Sequence, residues 1–530
     1  MDRVAFALAA LAQVPKILTL QDRSPHSPTY GCFDRNFWHY KIIDFPSGMA
    51  QEFVWPLALA TTTELEGNPW FRSPALRDWV EAGILFAARS AHRDGSCDDY
   101  FPYERAGGAA AFSLLACLES YILLDLENPE MLGFFRKRAN WLAHHLESGQ
   151  LANHQSLIAL CLERTGRLLA TSEWDEAKRQ RIARVLSWQD EEGWFQEYEG
   201  CDPGYHTLTI GVLAQLQEIA PQPELERAIE KAVGFVSHFV HPDGSFGGEY
   251  ASRNTYNFFP HGFEIVGRWL PQARTINERF LVGLADGLEA CYTDDHIIGH
   301  HAWSYLLAWR HSVAHLDEPL QAKPSGRTHF PHAGLLIDRR KGAELFLALN
   351  KGGTFKFFRD GKLVASDTQI SLQTGGRKPR IAVAHLIDDY ACELGQDEIV
   401  IRGRLHWAMH QQMTSLNLVM LRLIMGSAGR FFPNLIRRML QRLLITGRRP
   451  APFEFRRTIA WTDGILRVSD TITANDWTEV AAAGIGAAQT SIHVVMSRTF
   501  QRGQMQQWLD LTEAVRTLAK GESLQVERRF

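Results

Sequence analysis

Two stretches of the chain set groups able to move protons and bind anions just ahead of apolar, helix-like runs. In LANHQSLIALCLERTG, Asn153 and His154 open one run; in WFQEYEGCDPGYHTL, Tyr205 and His206 open another, 52 residues on from Asn153 to Tyr205. An amide that donates to an anion, a phenol that gives or takes a proton, and two imidazoles are the parts of acid–base chemistry with a stabilised negative charge. A phenol ionises near pH 10, so Tyr205 serves as a base only beside positive charge or hydrogen-bond donors. His206, Arg253 and His261 are the candidates. The last two belong to SRNTYNFFPH, where Arg253, Asn254, Tyr256, Asn257 and His261 fall within nine residues and read as a groove wall.

Each of these residues also has a plainer reading. Asn153 fits a helix N-cap, Tyr205 a buried structural tyrosine, and His154 and His206 satisfied core or loop histidines. Further rim candidates are Gln51 with Glu52, Tyr103 with Glu104 and Arg105, and His300 with His301. Asp294 and Asp295 near the last pair invite a metal, but adjacent histidines diverge by about 100° on a helix. No metal and no cofactor are expected.

The elements that position these groups repeat. Loop glycines at Gly48, Gly95, Gly149, Gly193, Gly244 and Gly299 are separated by 47, 54, 44, 51 and 55 residues, each gap long enough for two helices and two turns. Six such hairpins indicate a repeat architecture. The helix before each loop is the more charged (AKRQRIARVL) and the helix after it is apolar on most sides (TLTIGVLAQL), so the second is the buried one. The expectation is an incomplete or complete (α/α)6 toroid over residues 1–317, with its loops converging on one end. Inner-helix N-termini there present unpaired N–H groups and positive dipole ends, which suit an anionic ligand. A polar Pro/Gly linker, EPLQAKPSGR, covers 318–327. Beyond it the hydrophobic period becomes two (AELFLALN, GTFKFFRDG, LVASDTQISLQ, FEFRRTIAW), so 328–530 reads as an antiparallel β-sandwich with a helical insertion near 431–447.

Composition narrows the possibilities. A net charge of −4 over 530 residues gives no field that would attract nucleic acid. Seven scattered cysteines, none in a C-x-x-C pair, read as reduced thiols; they favour the cytoplasm, with the periplasm as the alternative. No apolar run reaches about 18 residues. MDRVAFALAALAQVPK carries Asp2 in what would be a basic region and reads as an amphipathic first helix rather than a signal peptide. The basic segment with Arg437, Arg438, Arg442, Arg448 and Arg449 is read as an amphipathic helix lying on the sandwich, in preference to a peripheral membrane contact. CDDY and TDDH fall short of the acidic motifs that terpene cyclases use on a similar toroid.

A toroid followed by a sandwich, with these inner-helix starts, resembles the heparinase II/III-like polysaccharide lyases and related alginate lyases. The resemblance covers most of the chain in architecture and rests on short motifs, chiefly Asn153 and the DPGYH around Tyr205 on the next repeat. It implies an acidic, uronate-containing polysaccharide as partner, cleaved by β-elimination between the two domains. Asn153, with His154, would bind the uronate carboxylate, and Tyr205 would be the proton donor and also the base. Arg253, Asn254, Tyr256, His261, Tyr103, Arg105, Gln51 and His301 would contact sugar. The family pattern also places a His shortly before an Asp on an early strand. Here Ala365 and Ser366 precede Asp367, and His332 or His385 would have to substitute. Two rivals stay open: a catalytically inactive carbohydrate-binding protein of bacterial surface-polysaccharide metabolism, and a glycoside hydrolase using two of Glu104, Asp202 and Glu249.

Overall fold

The computed structural model describes residues 2–147, 149–197, 200–290, 297–312, 323–408, 414–427, 429–441, 449–462, 464–491 and 499–530. Six outer helices are α1 (Val4–Leu11), α5 (Pro74–Ser90), α7 (Pro129–His144), α9 (Asp175–Ser187), α11 (Pro223–Val236) and α13 (Pro271–Ala285). Six inner helices are α4 (Val54–Thr62), α6 (Gly107–Leu123), α8 (Ala152–Leu168), α10 (Pro203–Ile219), α12 (His261–Val266) and α14 (Ile297–Arg310). Two short helices, α2 (Val14–Leu20) and α3 (Arg35–Trp38), lead from α1 to the inner ring. Each inner helix packs on the next and α14 packs back on α4, so the toroid is complete. The first helix supplies the sixth outer member: it packs on α14, and buried Arg3 pairs with Glu264 of α12 at 3.0 Å and with Glu278 of α13.

Local sequence explains this layout. Proline opens α5, α7, α11 and α13, where its missing N–H costs nothing. Ser73 and Asn128 cap the first two of these through their side chains. Gly95, Gly193 and Gly244 hold left-handed φ angles of 91°, 103° and 80°. A Cβ at each would collide with backbone of the following outer helix, at Arg138, Lys231 and Gly283 respectively, so each loop is pressed onto its neighbour. Gly299 departs from expectation. It lies in the first turn of α14, facing the Phe53 ring, and is not a loop glycine.

The second region is built of two antiparallel sheets. One is a meander of β1 (Gly326–Phe330), β2 (Leu335–Arg340), β3 (Ala343–Ala348), β4 (Thr354–Arg359) and β5 (Lys362–Asp367). β1 begins inside the expected linker, of which 318–322 lie outside the described residues. The other sheet has the order β13 (Leu509–Asp510), β12 (Val480–Ile485), β6 (Ile370–Thr374), β7 (Ile381–Val383), β9 (Glu398–Trp407), β10 (Pro450–Thr462), β11 (Ile465–Ala474), β14 (Ser523–Arg529), with β8 (Ala391–Leu394) also on β9. LVASDTQISLQ is therefore two strands and not one. Gln369, at φ 69°, turns the chain from the first sheet into the second.

Alternation along the meander fixes the domain order. Leu335, Ile337, Phe346 and Phe358 join the core of the toroid, whereas Leu336, Leu345, Phe355 and Phe357 join the core between the sheets. The first sheet is thus covered on both faces and hands alternate side chains to the toroid. The insertion between β9 and β10 also differs from expectation. It is two helices, α15 (Ser415–Gly426) and α16 (Pro433–Gln441), beginning well before residue 431, and 442–448 lie outside the described residues.

Candidate functional site

The inner helices all begin at one end of the ring, and the polar residues singled out above lie at or just before those starts. At the centre of the site is Glu197, which the sequence reading passed over. Its backbone bridges to Leu151, just ahead of α8, and its carboxylate is fully buried. Asn153 Nδ2 donates to both Glu197 oxygens at 2.7 Å, and the Asn153 backbone N–H donates to one of them at 3.1 Å. Arg253 Nη1 approaches the same carboxylate at 3.1 Å. The Arg253 guanidinium carbon also lies 3.7 Å from the centroid of the Tyr205 ring, a close cation–π stack. Asn153 and Arg253 thus meet through one carboxylate, and Tyr205 joins them through the Arg253 guanidinium, the three residues coming from three consecutive repeats. Burial raises the Glu197 carboxyl above its usual value, against the opposing pull of Arg253 and the Asn153 hydrogen bonds.

Both domains fix the loop that carries Arg253. Asp202 caps α10 by accepting from Tyr205 N at 3.0 Å, and its other oxygen accepts from Arg253 N at 3.0 Å; Thr255 Oγ1 donates to it as well. From the sandwich side, Lys351 Nζ donates to the carbonyls of Glu249 at 2.7 Å and Ala251 at 2.6 Å, and to Asn254 Oδ1. Burial pushes the Lys351 ammonium down to about 7, with Asp202 and Glu249 working the other way. Lys356 of β4 pairs with Glu249 at 3.3 Å and lies 5.2 Å from the centre of the Tyr256 ring, while Ser366 Oγ donates to Glu249 at 2.9 Å. The only sequence signal for Lys356 was a charge inside the apolar strand TFKFF, at a position alternation turns toward the toroid.

Several polar atoms along this wall are buried without a partner among the described residues: Asn153 Oδ1, the Tyr256 hydroxyl, and both ends of the Asn257 amide. Such orphans cost about 1–3 kcal/mol each, and they persist where a ligand can satisfy them.

Other expected site residues do not join this cluster. His206 is turned outward, its Nε2 3.0 Å from the Ala232 carbonyl of α11, and burial pushes it down to about 4. His154 Nδ1 lies 2.6 Å from Glu147 Oε2, with its ring packed on Gly108 of α6. His261 Nδ1 is 2.8 Å from Ser304 Oγ, His301 Nδ1 is 3.3 Å from the Ile297 carbonyl, and burial pushes both rings down to about 3. The Gln51 amide faces the backbone of Gly31 and Phe33, 3.3 Å from each. Arg105 pairs with Asp94 at 2.7 Å, and exposed Tyr103 stacks near His92 on the rim. His300 pairs with Glu52 at 2.6 Å, while Asp294 and Asp295 lie outside the described residues.

The two histidines weighed as substitutes before Asp367 are elsewhere. His385 Nε2 lies 2.9 Å from Ser491 Oγ inside the sandwich. His332 sits at the outer domain junction, 3.0 Å from Asp190. Asp367 itself is held by Arg457 and Arg528 between the sheets. The carboxylates a hydrolase would need are also committed: Asp202 to its cap, Glu249 to Lys356 and Ser366, and Glu104 to the Asp99 and Tyr100 N–H groups.

This arrangement defines an (α/α)6 toroid joined to an antiparallel β-sandwich, with a charged cluster at the inner-helix starts. No protein-family model matches the chain, and no curated protein matches it in sequence. Solved structures match in fold. A Paenibacillus xanthan lyase aligns with a TM-score of 0.53 at 12% identity, over 91% of this chain and 46% of that one. A Streptomyces coelicolor A3 chondroitin AC lyase gives 0.49 at 10% identity, over 91% and 67%. A cellobiose 2-epimerase from Bacillus thermoamylovorans gives 0.44 at 10%, over 56% and 90%. The chain therefore shares the fold of the xanthan lyase, and it spans under half that protein's length.

Proposed function

We propose that the protein cleaves a uronate-containing polysaccharide by β-elimination, with Tyr205 as the proton-transfer residue. The observation that carries this reading is the Arg253 guanidinium held between Glu197 at 3.1 Å and the Tyr205 ring at 3.7 Å. A cation fixed on the ring face favours the negative charge Tyr205 must carry when it acts as a base. In the reaction, the Tyr205 phenolate takes the C5 proton, the C4–O4 bond breaks as the C4=C5 double bond forms, and Tyr205 returns the proton to O4. The C5 carbanion character is spread onto the uronate carboxylate, which needs donors of its own. Asn153 and Arg253 already bind one carboxylate, that of Glu197, so they form a set able to take another in its place.

The Asn153 amide also favours a second reading. Both Glu197 oxygens hold its N–H donors at 2.7 Å, and if a substrate carboxylate cannot displace Glu197 the protein binds polysaccharide without cleaving it. Ultraviolet absorbance during incubation with heparan sulfate, alginate, hyaluronan and bacterial capsules separates the readings. A rise that vanishes in Tyr205→Phe, which keeps the stacked ring, supports elimination. Binding without any rise supports the second reading, and reducing ends without absorbance would overturn both.

A further inference from the structure

We propose that α15 and α16 dock the protein on an anionic lipid surface. The basic helix expected on the sandwich is α16 as far as Gln441, and its Leu435 and Met439 lie in solvent. In α15 only Met425 is buried among the described residues, and the exposed face is the apolar one. Leu416, Leu423, Phe431, Phe432 and Leu435 are 71%, 64%, 67%, 63% and 59% exposed. Met420 continues the α15 stripe at i, i+4, i+7 with Leu416 and Leu423, and Met439 continues that of α16 after Leu435. Phe431 and Phe432 lie between them in the chain. So many large apolar side chains left in solvent along one short segment need an occupant.

Charge selects which one. Between Thr414 and Arg449 the sequence has seven arginines and no acidic residue, and no Asp or Glu occurs from Ile399 to Phe453. Arg430 and Arg438 are exposed beside the apolar face. A second copy meeting the same patch by two-fold symmetry would set arginine against arginine with no carboxylate to relieve it. A bilayer carrying anionic headgroups satisfies both the apolar face and its cationic rim. The helices have 12 and 9 residues, and no described helix is long and apolar enough to cross a membrane, so they lie in the interface.

The two helices are also held in place. Arg422 pairs with Asp44 and lies 5.5 Å from the Phe45 ring centre, and Asn434 Nδ2 donates to the Leu146 carbonyl at 3.2 Å. Both anchors belong to loops that lead into inner helices, so docking would bring the mouth of the toroid to the lipid surface.

Co-sedimentation of the full chain with vesicles of phosphatidylcholine, alone or mixed with phosphatidylglycerol, tests this. We expect sedimentation with the mixed vesicles, weakening as salt rises. Replacing Arg430→Gln together with Arg438→Gln should weaken partitioning roughly twenty-fivefold, about fivefold per arginine. Leu423→Asp should abolish it, with the thermal midpoint unchanged because the side chain is in solvent; should that variant misfold, Phe432→Ser reads the same surface. Failure to sediment with the mixed vesicles, wild-type binding by the apolar variants, or a concentration-dependent dimer that takes up the patch instead of lipid would overturn the proposal.

Discussion

Replacing Arg253 by Met tests whether Glu197 is the centre of the site or a bystander. The carboxylate is fully buried, and the guanidinium 3.1 Å away is the cation that compensates it. Breaking a buried pair from one side costs about 3–5 kcal/mol. At about 2.1 cal/mol/K per residue over a helical ring of roughly 300 residues, that lowers the thermal midpoint by about 5–8 °C near neutral pH. The pH dependence gives the sharper signature. Burial sets the folded pKa of Glu197 above its unfolded value, so the stability it carries is whole below the unfolded pKa and is lost as pH rises through the folded one. Removing the cation raises the folded value further, so the penalty of Arg253→Met should be large at about pH 8 and much smaller at about pH 5. Adding Glu197→Gln should recover most of the loss, leaving the Tyr205 stacking, about 1–2 kcal/mol. Scanning calorimetry of the two single variants and the double at both pH values reads all of this. Additive losses, or an equal loss at both pH values, would show that the two groups are not coupled as described.

Other outcomes follow from the same geometry. Lys351→Met leaves two buried carbonyls and the Asn254 amide oxygen short of a donor, so it should cost about 2–4 kcal/mol and speed hydrogen exchange across 249–257; unchanged exchange there would remove Lys351 as a positioning residue. In the sandwich, burial alone would raise the Asp367 carboxyl, but Arg457 and Arg528 hold it below the usual range, so its contribution is present at neutral pH and lost as pH falls through that depressed value. Asp367→Asn should therefore cost about 3–5 kcal/mol at neutral pH, with the gap from wild type closing in strong acid on urea titration. His206, His261 and His301 are held neutral by burial, so the unfolded chain takes up protons first as pH drops below about 6.5. Each should subtract about 1.4 kcal/mol per pH unit down to its folded value, and an unaltered slope in His206→Gln would contradict that assignment.

The helical period and the apolar inner helices made the toroid legible, helped by left-handed glycines where the loops at Gly95, Gly193 and Gly244 press on the next outer helix; Gly48 is right-handed and packs on Cys97 instead. The period failed at Gly299, where the same residue type serves a different need, close approach of α14 to Phe53. Strand alternation located the sandwich but misread LVASDTQISLQ, since a switch between sheets at Gln369 leaves no mark in a hydrophobic pattern. Residue type and spacing singled out Asn153, Tyr205 and Arg253, which lie together because side chains at equivalent places on successive repeats converge by construction. They could not distinguish His206 from these: one position along the helix turns a side chain by about 100°, from the ring's interior to its outer layer. They also missed Glu197 and Lys351. Those two act through partners in another repeat or in the other domain, 44 and 97 residues away in sequence for the Asn153 and Asn254 contacts, and only the packing of neighbouring repeats and the docking of the first sheet create them. That difference has a mechanistic side. Asn153, Tyr205 and Arg253, with the Asp202 and Glu197 contacts to Arg253, come from the repeats, whereas Lys351, which holds the same loop, comes from the sandwich. Variation in the sandwich can therefore retune the site without touching the residues a motif would find.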